Sequence, residues 1–307
     1  MRYFRLFLPT FVSGVLLSAC GGAAPIASSP GGSSFQQGAT KVASLGLQQV
    51  TPLLKKAKRI FVASYNNSDV LTYKRNGKPV KPTITDGIIS PEGMAITPTN
   101  HILVADNDGN YSGSVTAYRA NGQRTTPTIS VADAHFVAVD SNGNIYVTGF
   151  STLTTYTANG TQTTPTISGF SYPSGVAVDA NGKIYVADHN NNEITTYLSD
   201  GTQTTPTITG LSEPGGIAVD ANGKIYVANG GTNQLLTFTP EGYPTSPTIS
   251  DLSYPQGVAL DPHGDIYVTS QNSGNVGFYK PGGGLILTIG LSGYGPVGVA
   301  VIPSGSE

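Results

Sequence analysis

The stretch GVAVDANGKIYVAD at Gly175–Asp188 returns as GIAVDANGKIYVAN at Gly216–Asn229, 41 residues further on. A fixed period of that length marks a repeat architecture, in which one small unit is copied and each copy buries its apolar surface against the next. Four short signatures recur with it. A glycine-led apolar run stands at 93–97, 136–140, 175–179, 216–220, 257–261 and 298–302, with Phe136 in the glycine's place in the second copy. Runs of the Ile-Tyr-Val type stand at 60–62, 102–104, 145–147, 184–186, 225–227 and 266–268. Runs closing on an aromatic occupy 70–73, 115–118, 153–156, 194–197, 235–238 and 276–279. Pro-Thr-Ile closes the unit at 82–84, 127–129, 165–167, 206–208 and 247–249, with Leu287–Ile289 as a degenerate sixth.

Each signature marks a stretch of about four or five residues, β-branched or aromatic, and the stretches are separated by turn chemistry such as Asn-Gly, Asp-Gly or Pro-x-Gly, so they are strands joined by hairpins. In Asp179-Ala-Asn-Gly-Lys183 the aspartate can bond its own backbone two residues on, and Gly182 can take the left-handed conformation of a tight turn. Outside the first twenty residues no segment carries a helical period. Four antiparallel strands in each of six copies predict an all-β, six-bladed β-propeller. The array opens on a second-type strand at Ile60 and closes on a first-type strand at 298–302. Six complete blades therefore require the C-terminal strand to complete the N-terminal blade, which closes the ring. Proline at the head of the fourth strand suits an outermost edge, where its missing N–H costs nothing.

The N-terminus reads differently. Arg2 and Arg5 precede an apolar run from Leu6 to Leu17, too short to span a bilayer comfortably, and the run ends in small residues as a secretory signal does. Leu17-Ser18-Ala19-Cys20 resembles the lipobox of bacterial lipoproteins, which implies cleavage before Cys20 and acylation of that cysteine. Gly21-Gly22, with no aspartate, resembles an outer-membrane address in a Gram-negative envelope. The organisation expected is a signal peptide over 1–19, a lipid-anchored Gly/Ser/Pro-rich flexible tether over 20–50, and the propeller over 51–307. Cys20 is the only cysteine, so an internal disulfide is excluded. Charged residues make up 11% of the chain and the net charge is −2, which leaves no basic field for nucleic acid.

The unit P-x-G-V-A-V-D-x-x-G-x-I-Y-V-A-D-x-x-N-x-x-I-x-x-Y, best copied from Pro173 to Tyr197, resembles the NHL repeat, and IYVANGGTNQLLTF is similar to the related YVTN repeat. The resemblance covers Ile60 to Ile302 and departs at blade three, where Ala134 and Phe136 replace proline and glycine. It implies a six-bladed propeller whose first strands line a central channel. Propellers of this type include binding modules as well as lactonases and lyases.

Loop lengths select a face. The first-strand anchors are spaced 43 residues from Gly93 to Phe136 and 39 from Phe136 to Gly175, against 41 elsewhere, and both deviations fall largely in second-to-third loops. Length changes gathered on one face point to a binding face. The residues just before each first strand ring the channel mouth there: Glu92, His135, Ser174, Gly215, Gln256 and Val297. Ends of second strands supply Asp106, Asn107, Asp188 and His189 beside them, and Tyr172, Tyr254 and Tyr294 lead into first strands. Exposed tyrosines with asparagine and serine suit a protein, peptide or glycan ligand, because a rigid ring offers contact area at small entropy cost. Glu92, His135 and Asp188 converging would instead suit acid–base work or a cation. In that alternative, a lactonase- or lyase-like enzyme, Glu92 would be the metal ligand and His135 the base. Calcium asks for six to eight oxygens, and Ser174, Gly215 and Val297 supply few. A binding module anchored through Cys20 to a membrane of the bacterial envelope, with no cofactor, is the expectation.

Overall fold

The computed structural model describes residues 57–110 and 112–303. Cys20, the proposed tether and Tyr111 lie outside them. Each repeat becomes one antiparallel sheet, and the described residues form six sheets of four strands. Blade two runs in order through β4 (Pro91–Ile96), β5 (Ile102–Asn107), β6 (Gly113–Tyr118) and β7 (Arg124–Ser130). Blade four repeats it with β12 (Pro173–Val178), β13 (Ile184–Asp188), β14 (Glu193–Tyr197) and β15 (Gln203–Ile208). The seam closes as the strand count requires: β24 (Pro296–Pro303) pairs with β1 (Ala57–Ser64) in one sheet with β2 (Asp69–Tyr73) and β3 (Pro79–Ile84).

The Ile-Tyr-Val runs of the second strands are buried on both faces because blades pack on both sides of them. Ile60 and Val62 of β1 join a cluster with Tyr267 and Phe278 of blade six. Phe61 and Ala63, pointing the other way, join Met94, Ile102 and Tyr118 of blade two. A one-residue slip would exchange the two sets, so the register is strongly determined. Tyr146, Tyr185, Tyr226 and Tyr267 are buried between blades. Their hydroxyls are used as well: that of Tyr185 reaches Asp179 and that of Tyr267 reaches Asp261.

Proline stands inside the fourth strand, where the sequence pattern placed it at the head. Pro206 is the fourth residue of β15, at a register shift against β14, so the bulge absorbs its missing N–H. A side chain on Gly242, in the next blade's turn, would come within 2.6 Å of Pro206 Cβ. The same nesting joins Gly122 to Pro82, Gly160 to Pro127, Gly201 to Pro165 and Gly283 to Pro247. Proline therefore locks neighbouring blades in addition to occupying an edge.

Candidate functional site

First strands crowd the axis so closely that their leading glycines have no room for a side chain. A Cβ on Gly298 would overlap the Glu92 carbonyl, and one on Gly175 the Gly215 carbonyl. Blade three breaks the rule. Phe136 takes the glycine position, and its strand β8 shortens to Val137–Val139. The ring reaches toward blades two and five, since added Cβ atoms would stand 2.8 Å from its Cγ at Gly93 and 3.3 Å from its Cε1 at Gly216. It also clusters with Val297 of the closing strand. Phe136 lines both the bowl at the channel mouth and the apolar lower channel, and so stands between them.

The bowl has a volume of about 520 Å³. Glu92, His135, Ser174, Gln256 and Val297 of the inner ring line it, with Tyr172, Tyr254 and His189 on its walls. Tyr65, Asn190 and Gln271 complete the lining and were not singled out in the sequence. Their signal was positional: Tyr65 and Gln271 each follow the last residue of a second strand, and Asn190 stands two residues past one.

His135 anchors the charge distribution. It is 1% exposed, its Nδ1 lies 2.9 Å from Glu92 Oε2, and its Nε2 lies 3.4 Å from Asp133 Oδ2. Burial on its own favours loss of the imidazolium proton, but the Glu92 carboxylate and then Asp133 outweigh it, so the pKa is raised above the ordinary histidine value. Tyr172 lies over this ring, with centroids 4.4 Å apart, and makes an edge contact with His189 at 5.6 Å. Burial first, and then the charges of Glu92 and Asp133, raise the Tyr172 phenol above its usual range, so it stays protonated as a donor.

Several expected face residues are turned away from the bowl. The Asp106 carboxylate accepts from the backbone of Ile89 (3.0 Å) and Ser90 (2.7 Å), and burial raises its pKa. Asp188 accepts from Ser171 N at 3.0 Å and from the Asn191 side chain. Both brace the loop that enters their own blade. Asn107 is occupied likewise, donating to Asp133 at 2.7 Å. Tyr294 packs against the core between blades one and six and is half-buried. The second carboxylate beside His135 is thus Asp133, where the sequence pattern suggested Asp188.

The mouth does not fit a hard dication. Among the described residues Glu92 is the one carboxylate lining the bowl, and its Oε2 is bonded to His135. Asn107 and Asp108, at and after the end of β5, accept from the backbone of Gly109 and Asn110. Six to eight convergent oxygens cannot be assembled from these side chains as placed.

The NHL repeat model matches residues 170–197 and 211–238, the first three strands of blade four and of blade five. Among curated proteins no match is found. Solved structures with this shape include a chain of the nidogen/laminin complex, 19% identical with TM-score 0.65, covering 79% of this chain and 97% of that one. A Bacteroides caccae protein of unknown function is 11% identical at TM-score 0.65, covering 80% and 99%. Streptogramin B lyase is 15% identical at TM-score 0.52, covering 77% and 75%. Likeness at these identities concerns the fold. The protein is an all-β six-bladed propeller. More particularly, two of its blades, four and five, match the NHL repeat.

Proposed function

We propose that the protein is an envelope-anchored lipoprotein whose propeller is a binding module, taking a protein, peptide or glycan in the bowl at the channel mouth. The observation that carries this reading is the His135 clamp. A general base needs an imidazole nitrogen within reach of a bound proton donor, whereas Nδ1 of His135 is bonded to Glu92 and its Nε2 is buried, 3.4 Å from Asp133 Oδ2 without a hydrogen bond. The Glu92–His135 pair holds a fixed floor under Tyr172, which suits recognition. Likeness to a chain of the nidogen/laminin complex is consistent with a binding role. Acylation of Cys20 would hold the chain to a membrane at about 0.8 kcal/mol per buried CH₂. A Gly/Ser-rich segment over 20–50 would give the propeller a reach of about 30 Å.

The pairing of Glu92 with His135 also favours a second reading, the lactonase- or lyase-like enzyme. Glu92→Gln separates the two. For a binding floor the variant changes ligand affinity a few-fold; for an enzyme it removes turnover by orders of magnitude. Lactone hydrolysis or elimination abolished by Glu92→Gln would overturn the binding reading. The anchor has its own test: Cys20→Ser should move the protein from the membrane to the soluble fraction of cells, and retention on the membrane would refute acylation there.

A further inference from the structure

The bowl differs from the rest of the disc in four respects that together narrow its ligand. The first is charge. Among the described residues no lysine or arginine lines it, and its carboxylate and its buried imidazole are paired with each other. An anionic ligand would find no free cation, and a cationic peptide would have to compete with His135 for Glu92.

The second is hydrogen-bonding type. Asn190, Gln256 and Gln271 offer planar amides, each with donors and an acceptor side by side. His189 Nδ1 donates to the Pro214 carbonyl at 3.3 Å, which fixes the ring's orientation. Ser174 donates to the same carbonyl at 2.6 Å and keeps its lone pairs. Paired donors and acceptors of this kind match neighbouring hydroxyl groups, each of which also donates and accepts.

The third is strain placed at the aromatics. Tyr172 and Tyr254 have φ of +62° and +51°, a left-handed backbone that is costly for a bulky residue. The conformation recurs before first strands, since Asp133, Glu213 and Gly295 adopt it at matching positions, with Ser90 before β4 the exception. Gly295 shows that glycine fills the slot without strain. Tyrosine in two of these slots puts a ring on the bowl wall, and Tyr65 supplies a third.

The fourth is the floor. With Phe136 across the channel the bowl is blind below, so a ligand enters and leaves by one face.

We infer that the bowl binds the end of a neutral glycan, with the C–H face of a pyranose ring on Tyr172 or Tyr254 and its hydroxyls on Gln256, Gln271, Asn190 and His189. This inference rests on the binding reading above and specifies its ligand class. A volume of about 520 Å³ is within the ordinary range for small-ligand sites.

The test uses the full-length chain and ligand-observed saturation-transfer NMR with three sets of probes: the neutral trisaccharides maltotriose, cellotriose and triacetylchitotriose; the acidic trigalacturonate; and a pool of unstructured hexapeptides. Calorimetry then measures affinity for whatever binds. Tyr172→Gly removes the ring and relieves the left-handed strain, so the variant keeps its fold, which its melting curve checks. Gln256→Leu serves as an independent second variant. The inference expects a neutral trisaccharide to bind, with at least a tenfold loss in each variant. Binding of hexapeptides or trigalacturonate alone, lost in the same variants, overturns the glycan assignment and leaves the binding reading standing. Binding indifferent to both variants, or no binding by any probe, overturns the glycan assignment and removes support for the bowl as a binding site.

Discussion

The two faces of the disc are built on opposite rules. On the face away from the bowl, blade after blade uses the same parts. Asp140, Asp179, Asp220 and Asp261 each accept from backbone N–H groups two and four residues on, closing the first hairpin. Beside them the turn glycines nest on the fourth-strand prolines of the preceding blade. At the mouth, six equivalent positions hold Glu92, His135, Ser174, Gly215, Gln256 and Val297, a different residue each time. A packing requirement that recurs tends to select one residue: on the opposite face aspartate fills four of the six equivalent positions, with Thr97 and Ile302 in the other two. Six different residues in equivalent backbone settings point to selection by something other than the fold.

If that contrast is right, damage to the repeated parts should cost stability and damage to the mouth should not. The largest effect is expected from deleting residues 298–307, which removes most of β24 and leaves β1 unpaired along the channel. Given a total of about 5–15 kcal/mol for a folded domain, the cooperative melting transition should disappear. An unchanged transition would show that the seam does not hold the ring. Next comes Gly298→Val, which forces a side chain into the Glu92 carbonyl. About 3 kcal/mol of overpacking is expected, or a fall of roughly 6–12 °C in Tm. Asp179→Ala follows. It strips the acceptor from Asn181 N, Lys183 N and the Tyr185 hydroxyl, and should cost about 1–3 kcal/mol in denaturant unfolding.

A smaller effect is expected from pH. The pKa of His135 is raised in the folded state, so its contribution is complete below the unfolded value of about 6.5 and is lost as pH rises through the folded value. Melting curves across that window should decline in the wild type and flatten in Glu92→Gln. Parallel profiles would mean that the pair does not hold the proton. Smallest of all is Tyr172→Gly, expected to fall within about 0.5 kcal/mol of the wild type, because relief of the left-handed backbone offsets the lost contact with His135. A loss comparable to that of Asp179→Ala would make Tyr172 a structural residue and weaken the contrast between faces.

The architecture was legible because its determinants are local and repeated six times. Strand period, turn residues and the uneven ends of the array sufficed for blade number and closure. The mouth ring could be read in the same way, from the position just before each first strand. What escaped were matters of direction. Asp106 and Asp188 occupy the expected ends of second strands, yet the backbone N–H groups of Ile89, Ser90 and Ser171 draw their carboxylates inward. Asp133 instead reaches His135, from a left-handed residue at φ +57° whose side-chain direction no spacing rule conveys. Phe136 was visible as a break in the pattern. Its reach toward blades two and five depends on how closely the first strands converge, which is a property of the assembled ring.

The difference between the faces can be measured in one experiment. Backbone amide chemical shifts of the isotopically labelled protein, recorded with and without maltotriose, cellotriose and triacetylchitotriose, report contact at every blade at once. The account predicts shifts gathered at Tyr65, Tyr172, His189, Tyr254, Gln256 and Gln271 for at least one sugar, with the hairpins at Asp140, Asp179, Asp220 and Asp261 unmoved. Shifts centred on those hairpins, or none at the mouth with any of the three, would contradict it.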